Sequence, residues 1–233
     1  MSEQRKAVVL LSGGLDSTTV LAIAKQQGFD CHALTFHYGQ RHDVEIEAAK
    51  RVAKKYGVEK HIVANLDPNM FGRSALTNDI DVPKDRNSDE MLNSVPSTYV
   101  PARNLIFLSI AAGIADEINA RDIFIGVNAV DYSGYPDCRS EFIHAFQKAA
   151  GLGTRIGEEL TIRMPLIAMS KGDIVKRGLE LGVDYRDTTT CYDPGLNGEA
   201  CGHCDACTLR LRGFIEAGEV DPIVYLNRPE ILG

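Results

Sequence analysis

Residues 7–17 read AVVLLSGGLDS, a run of apolar side chains that passes directly into a glycine-rich turn. The nearly uninterrupted apolar run 7–12 predicts a strand that is buried on both faces. A helix is predicted at 16–27, because apolar residues recur on one face and Gly28 follows as a stop signal. Free N–H groups at a helix N-terminus, preceded by glycines that let backbone amides come close, favour an anion. The stretch therefore predicts a strand, an anion-binding turn and a helix.

The rest of the chain repeats this alternation of strands and helices. Further strands are predicted at 31–36, 61–66, 122–127 and 160–164, and further helices at 44–56, 102–119, 141–150, 171–181 and 209–217. Strands that are separated by helices predict a parallel sheet with right-handed crossovers. We therefore expect an α/β fold, a Rossmann-like, doubly wound, mostly parallel five-stranded sheet. It forms a single domain over 1–233, in which 187–217 is a zinc-binding subregion.

Composition excludes several classes of protein. A chain of 233 residues with 44% hydrophobic and 24% charged residues falls within the range of folded globular proteins. Its formal net charge of −7 disfavours a grip on long nucleic acid through the phosphates. The longest nearly apolar stretch, 105–115, is about half of the ~20 residues that a membrane span needs. We therefore expect a cytoplasmic protein that binds neither nucleic acid directly nor a membrane.

One long stretch does not follow the alternation of strands and helices. Residues 67–99 show little periodicity, and their middle, DIDVPKDRNSDE at 79–90, is strongly charged. A structureless loop of that length in a compact domain is uncommon unless it is functional. The stretch is interpreted as a mobile lid or an edge over the site, with a disordered insertion as the alternative.

The string SGGLDS at 12–17 differs from the commoner nucleotide-binding loops. It lacks the lysine of the Walker pattern, and it does not match the dinucleotide pattern GxGxxG. It resembles the SGGxDS loop of the ATP pyrophosphatases (PP-loop ATPases), which adenylate a substrate oxygen and release pyrophosphate. Beside phosphates Asp16 is expected to need a cation, so we assign it to Mg²⁺. The plainer alternative is a tight turn in which Asp16 only caps the helix.

Two basic residues are candidates for binding phosphate or carboxylate. Lys171 lies in the first turn of a predicted helix, where Ser170 and Asp173 form a capping box. A lysine there opposes the helix dipole unless an anion lies nearby. Arg103 starts a helix just after Pro101, where its guanidinium is placed to pair with a carboxylate or phosphate. A solvated surface position is the alternative for both residues.

A cysteine cluster lies near the C-terminus. Cys201, Cys204 and Cys207 form a C-x₂-C-x₂-C pattern, and Cys191 precedes it. Four thiols at short spacings predict a closed, tetrahedral, structural zinc site, since cytosolic cysteines are rarely paired in disulfides. An iron–sulfur cluster, a redox C-x-x-C pair and a ligand role for His203 are the alternatives.

The loop 128–139 follows a predicted strand at the edge where ligands bind in doubly wound folds. Its tyrosines could sandwich a flat heterocycle, and Asp131 or Asp137 could accept two N–H bonds from a guanine-like edge. A glycine–proline turn with packed aromatic rings is the alternative. Cys138 is not favoured as a nucleophile, because no evident base lies near it in the sequence.

These motifs together resemble the 7-cyano-7-deazaguanine synthases of queuosine precursor biosynthesis, nearly from end to end. The resemblance is carried by LSGGLDSTTVL at 11–21, TFHYGQRH at 35–42, YVPARN at 99–104, DYSGYPDCR at 131–139, SK at 170–171, TTTC at 188–191 and CGHCDAC at 201–207. It implies a homodimeric ligase with one zinc per chain. The implied reaction joins 7-carboxy-7-deazaguanine and ammonia through adenylated carboxylate and amide intermediates, releasing AMP and pyrophosphate. A PP-loop tRNA-thiolating enzyme and a non-catalytic nucleotide-binding zinc module are the alternatives.

The resemblance also implies roles for individual residues. The catalytic residues are Lys171, Asp16 and Arg103. The residues expected at ATP are Leu11, Ser12, Gly13, Gly14, Leu15, Asp16, Ser17, Thr18, Thr19, Val20, Leu21 and Lys171. The residues expected at the heterocyclic substrate are Tyr38, Gln40, Arg103, Asp131, Tyr132, Tyr135, Asp137 and Arg139. The zinc ligands are Cys191, Cys201, Cys204 and Cys207.

Overall fold

The computed structural model describes residues 4–40, 44–72, 74–86, 91, 95–128 and 135–229. Its strands are β1 (Lys6–Leu10), β2 (Asp30–His37), β3 (Lys60–Asn65), β4 (Asp122–Phe124) and β5 (Thr161–Arg163). Its main helices are α1 (Leu15–Gln26), α2 (Val44–Lys55), α3 (Arg103–Ile118), α4 (Ser140–Gly153), α5 (Lys171–Glu180) and α6 (Asp205–Ala217). Every predicted strand and helix is present. The start of the last helix was predicted wrongly, since it begins at Asp205 rather than four residues later.

The strands form one parallel sheet in the order β3-β2-β1-β4-β5. The chain builds outward from β1 to β3 on one side, and then returns to place β4 on the other side of β1. The strand order therefore reverses between β1 and β4, and such a switch point opens a crevice at the carboxyl ends of the strands. The expected doubly wound, five-stranded sheet is confirmed.

The sheet is buried on both faces because successive side chains of β1 point to opposite sides. Ala7 and Val9 pack in a cluster with apolar residues of α1, α2 and α5. Val8 and Leu10 pack in a second cluster with residues of α3 and α4. All four side chains are at most 9% exposed. Helices on both faces thus hold β1 and the turn that follows it in the centre of the molecule.

The described parts of 67–99 pack against the rest of the protein. Ala75 and Val82 are buried beside the cysteines of the C-terminal segment, and Leu76 belongs to the α3-side core. The backbone N–H of Asp85 donates to the carbonyl of His203 at 2.8 Å. The alternative of a disordered insertion is therefore wrong for these parts, which form an edge between the cysteine cluster and the crevice.

Within the described residues, no helix combines the length and apolar character that crossing a bilayer requires.

Candidate active site and metal centre

A cavity of about 280 Å³ lies at the switch point of the sheet. One wall is the turn after β1, residues 11–17, which we call the phosphate loop. A second group of lining residues is Tyr38, Arg103, Tyr135 and Tyr192, which we call the aromatic wall. The crevice at the strand ends is where doubly wound folds bind ligands, and its position agrees with the sequence prediction.

Hydrogen bonds of its own two serines stabilise the conformation of the phosphate loop. The hydroxyls of Ser12 and Ser17 lie 3.0 Å apart, and the Ser17 Oγ also accepts from the N–H of Ser12 at 3.2 Å. The N–H of Gly14, the residue that caps α1, donates to the Ser12 Oγ at 3.3 Å. No side chain caps this end of α1, so its first N–H groups remain available to an anion.

Gly13 is required where the phosphate loop meets α2. Its φ of +82° lies in the left-handed region, and a Cβ built there would lie 2.5 Å from the nitrogen of Ala49 and 2.6 Å from the carbonyl oxygen of Glu45. Both contacts are with backbone atoms, which cannot rotate away. A glycine at this position therefore lets the first turn of α2 close directly over the loop.

Lys171 and Asp16, the two charged residues expected at the phosphate end of ATP, are in contact with each other. The Lys171 Nζ donates to both carboxylate oxygens of Asp16, at 2.9 and 3.0 Å. Lys171 is 8% exposed and Asp16 is 31% exposed, so the pair is partly shielded from water. The space for the lysine stem comes from Gly213 of α6, where a Cβ would lie 2.4 Å from the Lys171 Cγ.

The helix that carries Lys171 begins as predicted. The Ser170 Oγ accepts from the N–H of Asp173 at 3.1 Å, and the N–H of Ser170 donates to the Asp173 carboxylate at 3.3 Å. This reciprocal capping box fixes the first turn of α5 beside Asp16. Sequence reasoning identified the cap but not the ion pair, because 155 residues separate Lys171 from Asp16.

Only part of the predicted ATP segment faces the cavity. Its lining residues are Leu11, Ser12, Gly14, Leu15, Asp16 and Ser17. Thr18, Thr19, Val20 and Leu21 are at most 1% exposed and do not line it. The Thr19 hydroxyl donates to the carbonyl of Leu15 and lies 2.8 Å from the Tyr185 hydroxyl. The structure therefore places these four side chains in the interior of the fold, because α1 is buried along most of its length, from Leu15 to Ala24.

The aromatic wall brings together residues from separate parts of the chain. Arg103 donates through Nη1 to the Tyr38 hydroxyl at 3.3 Å. Gln40 holds the backbone of Tyr38 in place, since its Oε1 accepts from the N–H of Tyr38 at 2.8 Å. Tyr135 lies 3.0 Å from Thr98 through their hydroxyls and stacks on Tyr99 with ring centroids 5.7 Å apart. Tyr38, Gln40, Arg103 and Tyr135 thus share the cavity.

The backbone is unusual just before Arg103. Ala102 has a φ of +55°, a left-handed conformation that costs an L-residue roughly 1–2 kcal/mol. It stands at the start of α3 and offers no side-chain cap. The strained residue aims the first turn of α3 at the cavity, so the conformation coincides with the placement of a candidate site residue.

Asp137 supplies the missing cap from another segment. Its Oδ2 accepts from the N–H of Asn104 at 2.9 Å, and the Asn104 Nδ2 donates to its backbone carbonyl at 3.2 Å. The Asp137 carboxylate is 7% exposed and does not line the cavity. The structure therefore gives Asp137 a contact with the N-terminus of α3, whereas the sequence predicted a contact with the heterocycle.

The remaining predicted substrate residues divide into two groups. Asp131 and Tyr132 lie outside the described residues. Arg139, which the resemblance places at the substrate, is exposed at the start of α4 and does not line the cavity. Cys138 does line the cavity, but burial raises the pKa of its thiol to about 12. A thiol with that pKa is protonated at neutral pH, which agrees with its rejection as a nucleophile.

Sequence reasoning missed several residues of the cavity. Glu45 lines it from the first turn of α2, and Thr190 and Tyr192 line it beside the cysteine cluster. The position of α2 was the available signal for Glu45, because the first turn of a helix after a parallel strand lies at the ligand edge of the sheet. Tyr192 had no local signal beyond its place next to Cys191.

The four cysteines of the C-terminal segment converge on one point. Their Sγ atoms all lie within 4.8 Å of one another, and all four residues are buried. The pairs Cys191–Cys204 and Cys201–Cys207 are each 4.0 Å apart, close to the ~3.8 Å edge of a tetrahedron with Zn–S bonds of about 2.3 Å. Backbone N–H groups of Tyr192, Asp193 and Cys201 donate to sulfur atoms of the cluster. These donors favour thiolates, which is the form that binds a metal.

His203 does not join the cysteines. Its Nδ1 lies 2.8 Å from a carboxylate oxygen of Asp85, on the segment that packs over the cluster. The buried carboxylate of Asp205 accepts from Arg86 of the same segment at 2.7 Å. The segment that contains Asp85 and Arg86 and the cysteine cluster therefore stabilise each other.

A buried arginine connects α6, the helix that carries Cys207, with the segment that lines the cavity. Arg210 of α6 is 1% exposed and pairs with Asp221 at 2.7 and 2.9 Å. Its Nη1 also donates to the hydroxyls of Thr188 and Thr190, at 2.8 and 2.9 Å. Thr189, which lies between these two threonines in the chain, donates its N–H to the carbonyl of Gly13. One network thus links the metal segment to the phosphate loop.

Comparisons with known proteins agree along nearly the whole chain. The family model described as queuosine biosynthesis protein QueC matches residues 6–218. The 7-cyano-7-deazaguanine synthase of Kineococcus radiotolerans is 60% identical over 224 residues, covering 95% of this chain and 98% of that relative. The 7-cyano-7-deazaguanine synthase of Paramagnetospirillum magneticum is 58% identical over 226 residues, covering 96% of this chain and 100% of that relative. The 7-cyano-7-deazaguanine synthase of Geobacter sulfurreducens is 56% identical over 233 residues, covering 98% and 97%.

Proposed function

The chain belongs to the QueC family of queuosine biosynthesis proteins, and from that premise we propose the reaction that its cavity performs. It is an ATP-dependent carbon–nitrogen ligase that converts 7-carboxy-7-deazaguanine and ammonia into the nitrile 7-cyano-7-deazaguanine. The names of its relatives support this reaction over tRNA thiolation and over a non-catalytic zinc module. The single observation that carries the proposal is one cavity lined both by the aromatic wall and by the phosphate loop, whose Asp16 is paired with Lys171.

The chemistry explains why such an enzyme needs ATP. A carboxylate is a poor electrophile because oxide is a poor leaving group. Adenylation of the carboxylate with loss of pyrophosphate creates a good leaving group, AMP, which ammonia displaces to form the amide. A second adenylation, now of the amide oxygen, allows AMP to leave again as the nitrile forms. The protein's part is to orient the reactants and to neutralise charge, without a covalent nucleophile.

The phosphate end of ATP is proposed to bind at the phosphate loop. The free N–H groups at the start of α1 and the hydroxyls of Ser12 and Ser17 are donors for phosphate oxygens. Lys171 stabilises the negative charge that develops on the leaving pyrophosphate. Asp16 is the candidate ligand for the Mg²⁺ that accompanies ATP, since it is a carboxylate of the loop that lines the cavity. Mg²⁺ would supply further charge neutralisation there.

The substrate is proposed to bind at the aromatic wall. Tyr38 and Tyr135 provide rings for a flat heterocycle, and Gln40 holds the backbone next to Tyr38. The Arg103 guanidinium is the cation for the substrate carboxylate or for AMP. We retain Asp131 and Tyr132 as candidates from the sequence, and we reassign Asp137 to the support of α3.

The cysteine cluster is proposed to bind one structural zinc ion per chain. Four buried thiols at tetrahedral spacing fill the coordination shell and leave no open position for a reacting water. The ion would hold the segment 188–192 against the cavity and take no part in the reaction. We further propose a homodimer that acts in the cytoplasm on small molecules, with no direct contact to nucleic acid.

Product analysis tests the proposal. Incubation with 7-carboxy-7-deazaguanine, ammonium and ATP is expected to yield the nitrile by mass spectrometry, together with AMP and pyrophosphate. Accumulation of ADP and phosphate would contradict an adenylating enzyme. Sulfur incorporation into tRNA from a persulfide donor would favour the thiolation alternative.

Lys171→Ala isolates the role of the lysine at the phosphate loop. Loss of one charge-stabilising group is expected to lower turnover by about 10²–10³-fold, with a much smaller change in heterocycle affinity. Lys176→Ala is the matched control, because Lys176 is an exposed lysine on the same helix. Equal turnover in the two variants would remove Lys171 from the site.

A further inference from the structure

Glu45 occupies a position in the cavity that the proposed reaction has not yet used. It lies in the first turn of α2, directly above the phosphate loop, and its backbone carbonyl packs against Gly13. Its half-buried side chain lines the same cavity as Asp16, Arg103 and Tyr38. It makes no hydrogen bond or ion pair with any residue that the structure describes.

The surroundings of Glu45 make its carboxyl group a reversible proton acceptor. Burial raises its pKa to about 7, and the positive charge of Arg103 offsets part of that shift. Among the residues that the structure describes, Arg103 of α3 and Tyr38, which follows β2, are the charged and titratable groups that interact with it electrostatically. Glu47, only two residues away, behaves differently. It is exposed, and its hydrogen bond to Lys50 lowers its pKa.

Four other titratable side chains of the cavity are unsuited to this role. Asp16 is paired with Lys171, and the thiol of Cys138 has its pKa raised to about 12. Burial raises the pKa of Tyr38 and Tyr135 above the ordinary value for tyrosine. Among the described lining residues, Glu45 is the carboxylate that is neither paired nor far from neutrality in its pKa.

We propose that Glu45 is a catalytic residue, the general base that accepts protons from the substrate nitrogen during amide formation and dehydration. This inference rests on the proposed function. It is carried by the place of the side chain in a cavity that the phosphate loop, Arg103 and Tyr38 also line, and by the closeness of Glu45 to Gly13 of that loop.

The proton balance shows where such a base is needed. Ammonia attacks the acyl adenylate, the carbon–oxygen bond to AMP breaks, and the nitrogen gives up one proton as the neutral amide forms. In the second adenylation the amide oxygen attacks the α-phosphorus of ATP, pyrophosphate leaves, and the nitrogen gives up another proton. Breaking the second carbon–oxygen bond to AMP forms the nitrile and releases the last proton. The first adenylation, in which a carboxylate attacks ATP, removes no proton.

This difference defines the experiment. Carboxylate-dependent exchange of labelled pyrophosphate into ATP measures the first adenylation alone. Conversion of the synthetic amide, 7-amido-7-deazaguanine, with ATP into the nitrile measures a step that needs the base and no ammonia. Both are measured for the wild type, Glu45→Gln and Glu45→Asp, with Glu47→Gln as the matched control on the same helix.

Glu45→Gln is expected to retain pyrophosphate exchange within about threefold, and to lose nitrile formation from the amide by about 10²-fold or more. Glu45→Asp retains a carboxylate and is expected to keep part of the activity. Glu47→Gln is expected to match the wild type. In the wild type the rate from the amide falls as pH drops through about 7, because a protonated Glu45 cannot accept a proton. That acid limb is expected to be absent from the residual activity of Glu45→Gln.

Three results would overturn the inference. The first is a Glu45→Gln variant that forms the nitrile within threefold of the wild type, and the second is one that keeps the acid limb. The third is loss of pyrophosphate exchange together with nitrile formation, which would place Glu45 in adenylation or in folding. A wild-type protein without carboxylate-dependent exchange would instead contradict the proposed function itself, so the two failures are distinguishable.

Discussion

The two walls of the cavity are built in opposite ways. The phosphate loop is a single contiguous stretch that acts through backbone N–H groups and two hydroxyls, and hydrogen bonds within residues 11–17 contribute to its shape. The aromatic wall works through side chains that come from four separate stretches of the chain. Its members are positioned by contacts with distant residues, such as Arg103 with Tyr38 and Tyr135 with Thr98.

This difference predicts how each wall fails. The phosphate loop is expected to lose its binding geometry when its own backbone conformation is blocked. The aromatic wall is expected to lose its geometry when a distant residue that supports it is removed. The cysteine cluster is the largest such support, because the N–H of Tyr192 donates to the Cys204 sulfur at 3.5 Å. Mutations in the supports therefore test the aromatic wall without touching any residue that lines it.

Cys204→Ser is expected to have the largest effect. Structural zinc is worth roughly 10–16 kcal/mol in small peptides, against a total of about 5–15 kcal/mol for a whole domain. Loss of one thiolate is therefore expected to remove several kcal/mol from the free energy of unfolding, giving a low-melting protein with less than one zinc per chain. Metal analysis and thermal melting, measured side by side with the wild type, check this expectation.

Cys31→Ala is the control for Cys204→Ser. Cys31 is fully buried in β2 but lies outside the cluster. Its replacement is expected to cost on the order of 1 kcal/mol and to leave the zinc content unchanged. A Cys204→Ser protein that binds no metal and melts like the wild type would contradict the structural role of the ion.

Gly13→Ala is expected to have the next largest effect, on the phosphate loop. The new Cβ would collide with backbone atoms of α2 and would also hold a left-handed φ. Together these effects are expected to cost about 3 kcal/mol or more and to abolish pyrophosphate exchange. Gly28→Ala is the matched control, because Gly28 has a similar φ of +79° but nothing within 4 Å of the added Cβ.

The difference between the two glycine variants is the informative quantity. Conformational strain alone is expected to cost Gly28→Ala about 1–2 kcal/mol, with normal exchange activity. Denaturant titration of both proteins measures the two costs. Equal costs would mean that the close approach of α2 to the loop does not constrain the site.

Asp137→Ala is expected to have the smallest effect, and it sharpens the comparison at the aromatic wall. Removal of a carboxylate that accepts from the second residue of α3 is expected to cost about 0.5–2 kcal/mol of stability. The free energy of substrate binding, measured by calorimetry, is expected to change less than the free energy of unfolding does. A tenfold or larger loss of affinity without a change in melting would restore the original hypothesis that Asp137 binds the heterocycle.

The extent of the sequence prediction follows the same division. The strands, the helices and the order of the motifs were predicted, because apolar periodicity and glycine stops are local signals. The capping box at Ser170 and the four-cysteine pattern were predicted for the same reason. For the segment 67–99 an edge over the site was among the interpretations, but its contacts were not predicted, since its charged residues become structural only through distant partners, as Arg86 does with Asp205.

The sequence by itself determined the phosphate loop, the cysteine cluster and the family, because each depends on residues that are neighbours along the chain or on motifs that can be read in order. Only the tertiary structure decided that Lys171 neutralises Asp16, that Asp137 caps α3 and that Glu45 faces Arg103. The physical reason is that a side chain's pKa, partners and exposure are set by whatever the fold brings within a few ångströms of it. The identity of a charged residue is local, but its chemistry is decided by neighbours that may be more than a hundred residues away.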